Sequence, residues 1–418
     1  MKDILAILCA CIFLFSCRAL PSDGDPIGNL LRAERGKFED ILENKDRHEI
    51  QILYTQIDRD KSNYPIFTTY SFNADSTRYF YPASTVKLPQ VLLAMEKVHL
   101  LDLEGLDVFT PMFHDSLHSG QLSAREDTTS ENGYASIAHY SKKILVVSDN
   151  DAFNRLYEFM GQQATNQILH DKGYTSARIL HRLERPLTRD QNRHTEAVSF
   201  ANQSGVVYAQ PMLINEEPIE VRTKVLKGKG FVRNDSLIEK PFDFTYKNFL
   251  SLHTQQEILK GLIFPETVPA RRRFAIPERD RKFVLKYMSQ LPTETRFPAY
   301  HADTSYYDAY CKFLLYGSER TRIPKHIRIF NKVGDAYGYL IDNAYIVDFK
   351  NNIEFMLSAV IHTNNDSIYN DSKYEYKTIG YPFMKNLGQV IYRYELKRKR
   401  KVRPDLSEFK FEYDLNVN

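Results

Sequence analysis

Cysteine is scarce in this 418-residue chain, and three of the four, Cys9, Cys11 and Cys17, stand close to the start. Only Cys311 lies in the body, so no internal disulfide can form there, and no histidine and cysteine cluster has metal-ligand spacing. We therefore expect neither a metal nor an organic cofactor. Charge of one sign is equally scarce. Lysine and arginine number 56 against 53 aspartates and glutamates, and a net of +3 gives no reason to expect a nucleic-acid partner. There is no apolar run long enough to span a bilayer, no internal repeat and no low-complexity tract. What remains is ordinary globular composition, 43% hydrophobic and 26% charged, with length for one large core or two smaller ones.

The N-terminus reads as a leader. Ile4 to Phe15 is apolar, follows Lys2, and has the length and position of a signal-peptide core. It runs into Leu14-Phe15-Ser16-Cys17, which resembles a bacterial lipoprotein processing site with Cys17 as the lipidated first residue. That resemblance implies a signal peptide over 1–16, a tether over 17–27 that includes Ser22 to Pro26, and a folded body over 28–418. It also implies an exported protein of the bacterial cell envelope, held to the membrane by lipid at Cys17.

Within the body, periodicity predicts a helix over Leu30 to Leu42, strands over Glu49 to Gln56 and Ile66 to Phe72, and a helix from Ser84 to about Leu100. Residues 103–131 are irregular. Helices follow over Tyr134 to Val147, Ala152 to Met160 and Gln162 to Asp171, then a charged surface loop over 180–204. Gly205 to Phe244 alternates like strands around Lys227-Gly228-Lys229-Gly230, suggesting a β-rich insertion. Helices return at Asn248 to Ile263 and Asp280 to Leu291, strands at Ile327 to Val333, Tyr339 to Phe349 and Ile353 to His362, and a long helix from Tyr374 to Lys401. Strands at both ends with helices between give an α+β fold: an antiparallel sheet flanked by helices, beside an all-helical lobe.

Chemistry concentrates at Ser84 and Lys87, three residues apart where a helix opens. First-turn N–H groups lack partners and carry partial positive charge, a favourable setting for an oxyanion. Residues three apart share a face, so the Lys87 amine can reach the Ser84 hydroxyl. A lysine serves as base when burial and nearby positive charge disfavour its charged form. Pro89 removes one helical hydrogen bond close to the first turn.

Two further elements complete a constellation: Ser148-Asp149-Asn150 at a turn between helices, and Lys332-Val333-Gly334 at the end of a strand. With Ser84-Thr85-Val86-Lys87 they resemble the S-x-x-K, S-D-N and K-T-G set of class A β-lactamases and penicillin-binding proteins. The resemblance covers nearly all of the body apart from 205–244. It implies an acyl-enzyme on Ser84 activated by Lys87, with Ser148 relaying a proton to the leaving nitrogen. Asn150 is then expected to bind the substrate amide and hold Lys87, Asp149 to satisfy turn N–H groups, and Lys332 to attract a substrate carboxylate. The resemblance also implies an oxyanion hole made by the N–H groups of Ser84 and Asp335, and a Gly334 kept small so that substrate can lie along the strand edge.

Arg182-Leu183-Glu184-Arg185-Pro186-Leu187 resembles the loop that carries the family's deacylating glutamate, which makes Glu184 the expected base. The chain departs from that pattern at Thr188, where the family has asparagine. His194 stands where an aspartate partner for the loop arginine is expected. Val333 departs too, replacing a hydroxyl that helps bind the substrate carboxylate, a loss of about 1.5 to 3 kcal/mol if nothing compensates. Other features read as structural: Lys397 to Arg403 as a solvated helix end, Arg271 to Arg273 as surface, and the tyrosines and phenylalanines as core. The expected function is hydrolysis of cyclic or peptide amides, first as a class A-like β-lactamase acting as a single copy. D-alanyl-D-alanine peptidase or related peptidoglycan hydrolysis, and ligand binding without hydrolysis, are the alternatives.

Overall fold

The structure is a computed structural model that describes residues 26–118 and 120–415. The expected signal peptide and Cys17 lie outside the described residues.

Five strands form the main sheet: β1 (Gln51–Arg59), β2 (Pro65–Phe72), β3 (Ile327–Ala336), β4 (Tyr339–Asp348) and β5 (Ile353–His362). Their order is β3-β4-β5-β1-β2, and every neighbouring pair is antiparallel. The C-terminal strands therefore close directly onto the N-terminal hairpin, with Thr55 opposite Met356. Central β4 and β5 are buried along their whole length and accordingly read as nearly continuous apolar runs, whereas edge strand β2 alternates.

Helices α1 (Pro26–Ala33) and α2 (Arg35–Glu43) pack on one face with the C-terminal helix Tyr381–Lys397. Ile27, Leu31, Phe38, Leu387 and Ile391 meet Ile52, Tyr54, Phe355 and Leu357 there. α1 begins at Pro26 and buries Ile27, so the last residues of the expected tether belong to the packed body. The helical lobe comprises α3 (Lys87–Leu101), α4 (Ile137–Val147), α5 (Asn150–Met160) and α6 (Gln162–Asp171). Helices α7 (Leu252–Ile263) and α8 (Glu278–Ser289) join it to the sheet's other face, where Gln256 bonds both Thr55 and Ser358 at 3.0 Å. α3 runs through the middle of the lobe and is buried on every side, down to Glu96, which pairs with Lys172 at 2.7 Å. Pro89 costs it nothing, since first-turn N–H groups have no helical acceptor.

Three stretches depart from expectation. Gly205–Gln210 pairs with Val198–Asn202, which pairs with Met112–His114, so part of the expected loop over 180–204 is strand and the insertion proper starts later. Its remaining strands join the body: Gly230–Arg233 lies parallel to Ile368–Tyr369, and Lys227 grips Glu49 at 2.7 and 2.8 Å. The C-terminal helix starts at Tyr381, after a wider turn over Tyr376–Gly380. Nor is the basic run beyond it a purely solvated end. Arg398 bonds Glu395 and Asp58 at 2.8 and 2.6 Å, and Arg400 also bonds Glu395, a buried carboxylate that attracts both. The chain then tucks Leu406 and Phe409 into the core beside Phe264, Phe330 and Tyr345. Among the described residues no helix is long and apolar enough to cross a membrane.

Gly388 lets the C-terminal helix touch the backbone at Phe313–Tyr316, for a Cβ there would lie 2.3 Å from the Leu315 nitrogen. Gly388→Ala should cost about 1–3 kcal/mol by overpacking. Thermal denaturation should show a clear fall in Tm; an unchanged Tm would mean that the two segments do not meet.

Candidate active site

Ser84 sits in a tight 3-10 turn, Ala83–Val86, just before α3. Thr85 closes it by donating from its N–H and its hydroxyl to the Pro82 carbonyl, at 3.1 and 2.7 Å. Ala83 is held at φ 47°, a left-handed conformation unusual for a residue with a Cβ, and its methyl is buried among aromatic side chains. Strand β3 presses on this turn. A Cβ at Gly334 would fall 2.9 Å from both the Pro82 oxygen and the Ser84 nitrogen. Gly334 must therefore be small for the Ser84 turn to pack against it. This contact also sets the Ser84 N–H beside the strand that carries Asp335, as an oxyanion hole made from both requires.

Lys87 and Lys332 are both buried, and Ser148 lies between them. Its hydroxyl accepts from Lys332 Nζ at 2.7 Å and lies 3.3 Å from Lys87 Nζ. Ser148 can take this position because it ends α4 in a left-handed conformation, φ 65°, which turns the chain sharply into α5. Asp149 then caps α5 by accepting from the Ala152 N–H at 2.8 Å, the structural part expected of it. Lys87 donates to the Ser148 carbonyl and to Asn150 Oδ1, the latter at 2.5 Å. Among the described residues no partner holds the Ser84 hydroxyl. The expected Ser84–Lys87 bond is therefore not formed here: the buried amine takes the better acceptors on Ser148 and Asn150. Burial, then the neighbouring Lys332, holds Lys87 well below the ordinary lysine range. Burial likewise brings Lys332 down to about 8.

Ser84, Asn150, Glu184 and Asp335 line one open cleft of about 380 Å³. Tyr81, Tyr337 and Tyr374 line it too, with Asn370 and Ser372. Sequence reasoning missed Tyr81, Tyr374, Asn370 and Ser372. The tyrosines follow no period, and residue 374 reads as helix although it lies before the helix begins. Val333 is absent from the lining. Lys87, Ser148, Lys332 and Gly334 do not line it either, and the Val333 side chain is buried in the apolar cluster that the outer helices make with the sheet.

The loop of Glu184 is anchored from two directions. Asn154 of α5 exchanges hydrogen bonds with the Leu183 backbone at 2.9 and 3.0 Å. Arg182 makes a bidentate ion pair with Glu158 of α5 at 2.8 and 2.9 Å, both side chains fully buried. The arginine therefore does have a carboxylate partner, supplied by a helix and not by the loop itself. Glu184 has φ 53° and is exposed, with no side-chain partner among the described residues. The Thr188 hydroxyl accepts from the Gln191 N–H at 3.1 Å. Among the described residues no group of three or more metal-ligating side chains is placed to hold a metal ion.

The sequence matches the family described as "Beta-lactamase enzyme family" over residues 35–394. No curated protein matches it. Similar solved structures include a β-lactamase from Xanthomonas campestris pv. campestris, 14% identical over 87% of this chain and 97% of that one, with TM-score 0.47. Another, from Sphaerobacter thermophilus, is 11% identical over 88% and 99%, with TM-score 0.46. A third, from Burkholderia phymatum, is 12% identical over 87% and 98%, with TM-score 0.44.

The contact between Gly334 and the Ser84 turn is open to a direct check. Gly334→Ala should push the turn from β3 and slow reaction with an acylating probe about tenfold or more. Circular dichroism should show the fold intact. Acylation at the original rate would show that the turn does not depend on this contact.

Proposed function

The chain belongs to the beta-lactamase enzyme family, and on that premise we propose that it is a serine hydrolase of cyclic or peptide amides, first of all a class A-like β-lactamase. The observation that carries this reading is the Ser148 hydroxyl lying between two buried lysines, with Asn150 bonded to Lys87 and facing the same cleft as Ser84. In this scheme Lys87, neutral, takes the proton as Ser84 Oγ attacks the carbonyl carbon. The N–H groups of Ser84 and Asp335 receive the oxyanion. Ser148 passes a proton to the leaving nitrogen as the amide C–N bond breaks, while Lys332 attracts the substrate's carboxylate. Glu184 then takes a proton from water as that water attacks the ester, which frees Ser84. We further propose that the protein is exported and tethered through Cys17, with no cofactor, and works as a single copy.

One observation favours a second reading. Among the described residues Glu184 has no side-chain partner, and Thr188 is turned to Gln191, so little fixes a hydrolytic water. A peptidoglycan peptidase that holds its acyl group for long would suit that arrangement.

Fluorescent penicillin and nitrocefin, applied to the purified protein, separate the readings. A β-lactamase should turn over nitrocefin and shed the label quickly. Ser84→Ala should lose roughly a thousandfold in rate, and Glu184→Gln should accumulate label through slow deacylation. Lasting label on the unaltered protein favours the peptidase, and none at all a binding protein or another substrate. Equal turnover by Ser84→Ala would remove Ser84 from the scheme.

A further inference from the structure

Behind the loop that carries Glu184 lies a separate cavity of about 260 Å³, walled by parts of the segment 180–193, Arg185 and Leu187 among them, and by Gln162, Pro218, Ile219, Asp243, Tyr246 and Lys247. Its charges are unevenly satisfied. Arg189 and Arg193 are committed to Glu220 at 2.7 Å and Asp190 at 3.0 Å, and Arg189 also stacks on Tyr246. Arg185, which is exposed, and Lys247 make no side-chain hydrogen bond or ion pair among the described residues, although both line the cavity. Lys247 is half-buried over the rings of Phe242 and Tyr337, and desolvation holds its ammonium below the ordinary lysine range. Asp243, also on the wall, accepts from the Thr245 N–H at 2.8 Å and is not within ion-pair distance of Lys247. A desolvated cation without a counter-ion is costly, and an anion in the cavity removes that cost. The apolar part of the wall, Leu180, Leu187 and Ile219 with Tyr246, offers a place for a short apolar body beside the polar Gln162, His181 and Asn192.

We propose that this cavity is a second ligand site, for a small organic carboxylate whose oxygens bridge Arg185 and Lys247, and that occupancy steadies the loop bearing Glu184. Both cations lie one step from the catalytic cleft. Arg185 follows Glu184 directly, and Lys247 lies against Tyr337, a wall of that cleft. His181, stacked parallel on Tyr81, forms a third link between the cavity and the cleft. Ligand binding here stands apart from the proposed hydrolysis; only its consequence for Glu184 rests on that reading.

Calorimetry on the full-length protein with acetate, butyrate, hexanoate and inorganic phosphate tests this directly. Hexanoate should bind saturably and about tenfold or more tighter than acetate, as each methylene leaves water. Arg185→Gln and Lys247→Gln should each weaken it about tenfold, through loss of one charge-assisted bond. Ser84→Ala should bind hexanoate unchanged, which separates this site from the catalytic cleft. Hydrogen exchange over residues 183–191 should slow in saturating hexanoate, whether or not the protein hydrolyses anything. The proposal is overturned if no binding saturates, if both variants bind as before, or if Ser84→Ala abolishes binding. Phosphate binding as tightly as hexanoate would overturn the carboxylate assignment, and unchanged exchange the effect on the loop.

Discussion

Two lysine amines buried around one serine hydroxyl are the constraint to which the rest of this structure answers. Burying a single cation without a counter-ion costs several kcal/mol, and two near each other cost more. The fold meets that cost with oxygens: the Ser148 carbonyl and Asn150 Oδ1 for Lys87, and the Val333 carbonyl and Ser148 Oγ for Lys332. It also meets it by lowering the affinity of both amines for protons, which is what a general base requires. The same burial that makes the pair expensive gives Lys87 the lowered proton affinity that its proposed role as base needs.

Three distant segments must arrive together for this to happen. β3, with Lys332, is an edge strand of the sheet, and its place depends on β5 pairing with β1 across most of the sequence. α3 delivers Lys87 from inside the helical lobe, and the left-handed residue at the end of α4 presents Ser148 between the two. Gly334 lets sheet and lobe touch at the Ser84 turn. Each of these is a backbone requirement at an element's end, and the cleft opens where those ends converge.

Local features of this kind were legible in the sequence. Ser84, Ser148 and Lys332 all stand where periodicity breaks, and the antiparallel sheet beside a helical lobe follows from the order of strands and helices. Relations between segments far apart were not legible. The partner of Arg182 sits in α5, 24 residues earlier, and no loop pattern points to it. Val333 differs from the hydroxyl of the family pattern, but the cluster that buries it becomes visible only once helices from both chain ends cover the outer face. Arg398 and Arg400 read as a solvated run because the buried carboxylate that binds them, Glu395, lies within an otherwise ordinary helix. The tyrosines of the cleft come from three separate segments and carry no spacing to announce them.

The central claim is that Lys87 is neutral while Lys332 keeps its charge. Above its lowered pKa the Lys87 amine is free to accept a proton, and above about 8 Lys332 loses its own, so the competent combination ends on the alkaline side near pH 8. Titration of lysine side chains by heteronuclear NMR, with Lys87 assigned through Lys87→Arg, measures this most directly. The account predicts a Lys87 amine that titrates far below the ordinary lysine value of about 10.4, and rises when Lys332→Met removes the neighbouring charge. A Lys87 amine with that ordinary value, unmoved by Lys332→Met, would contradict it.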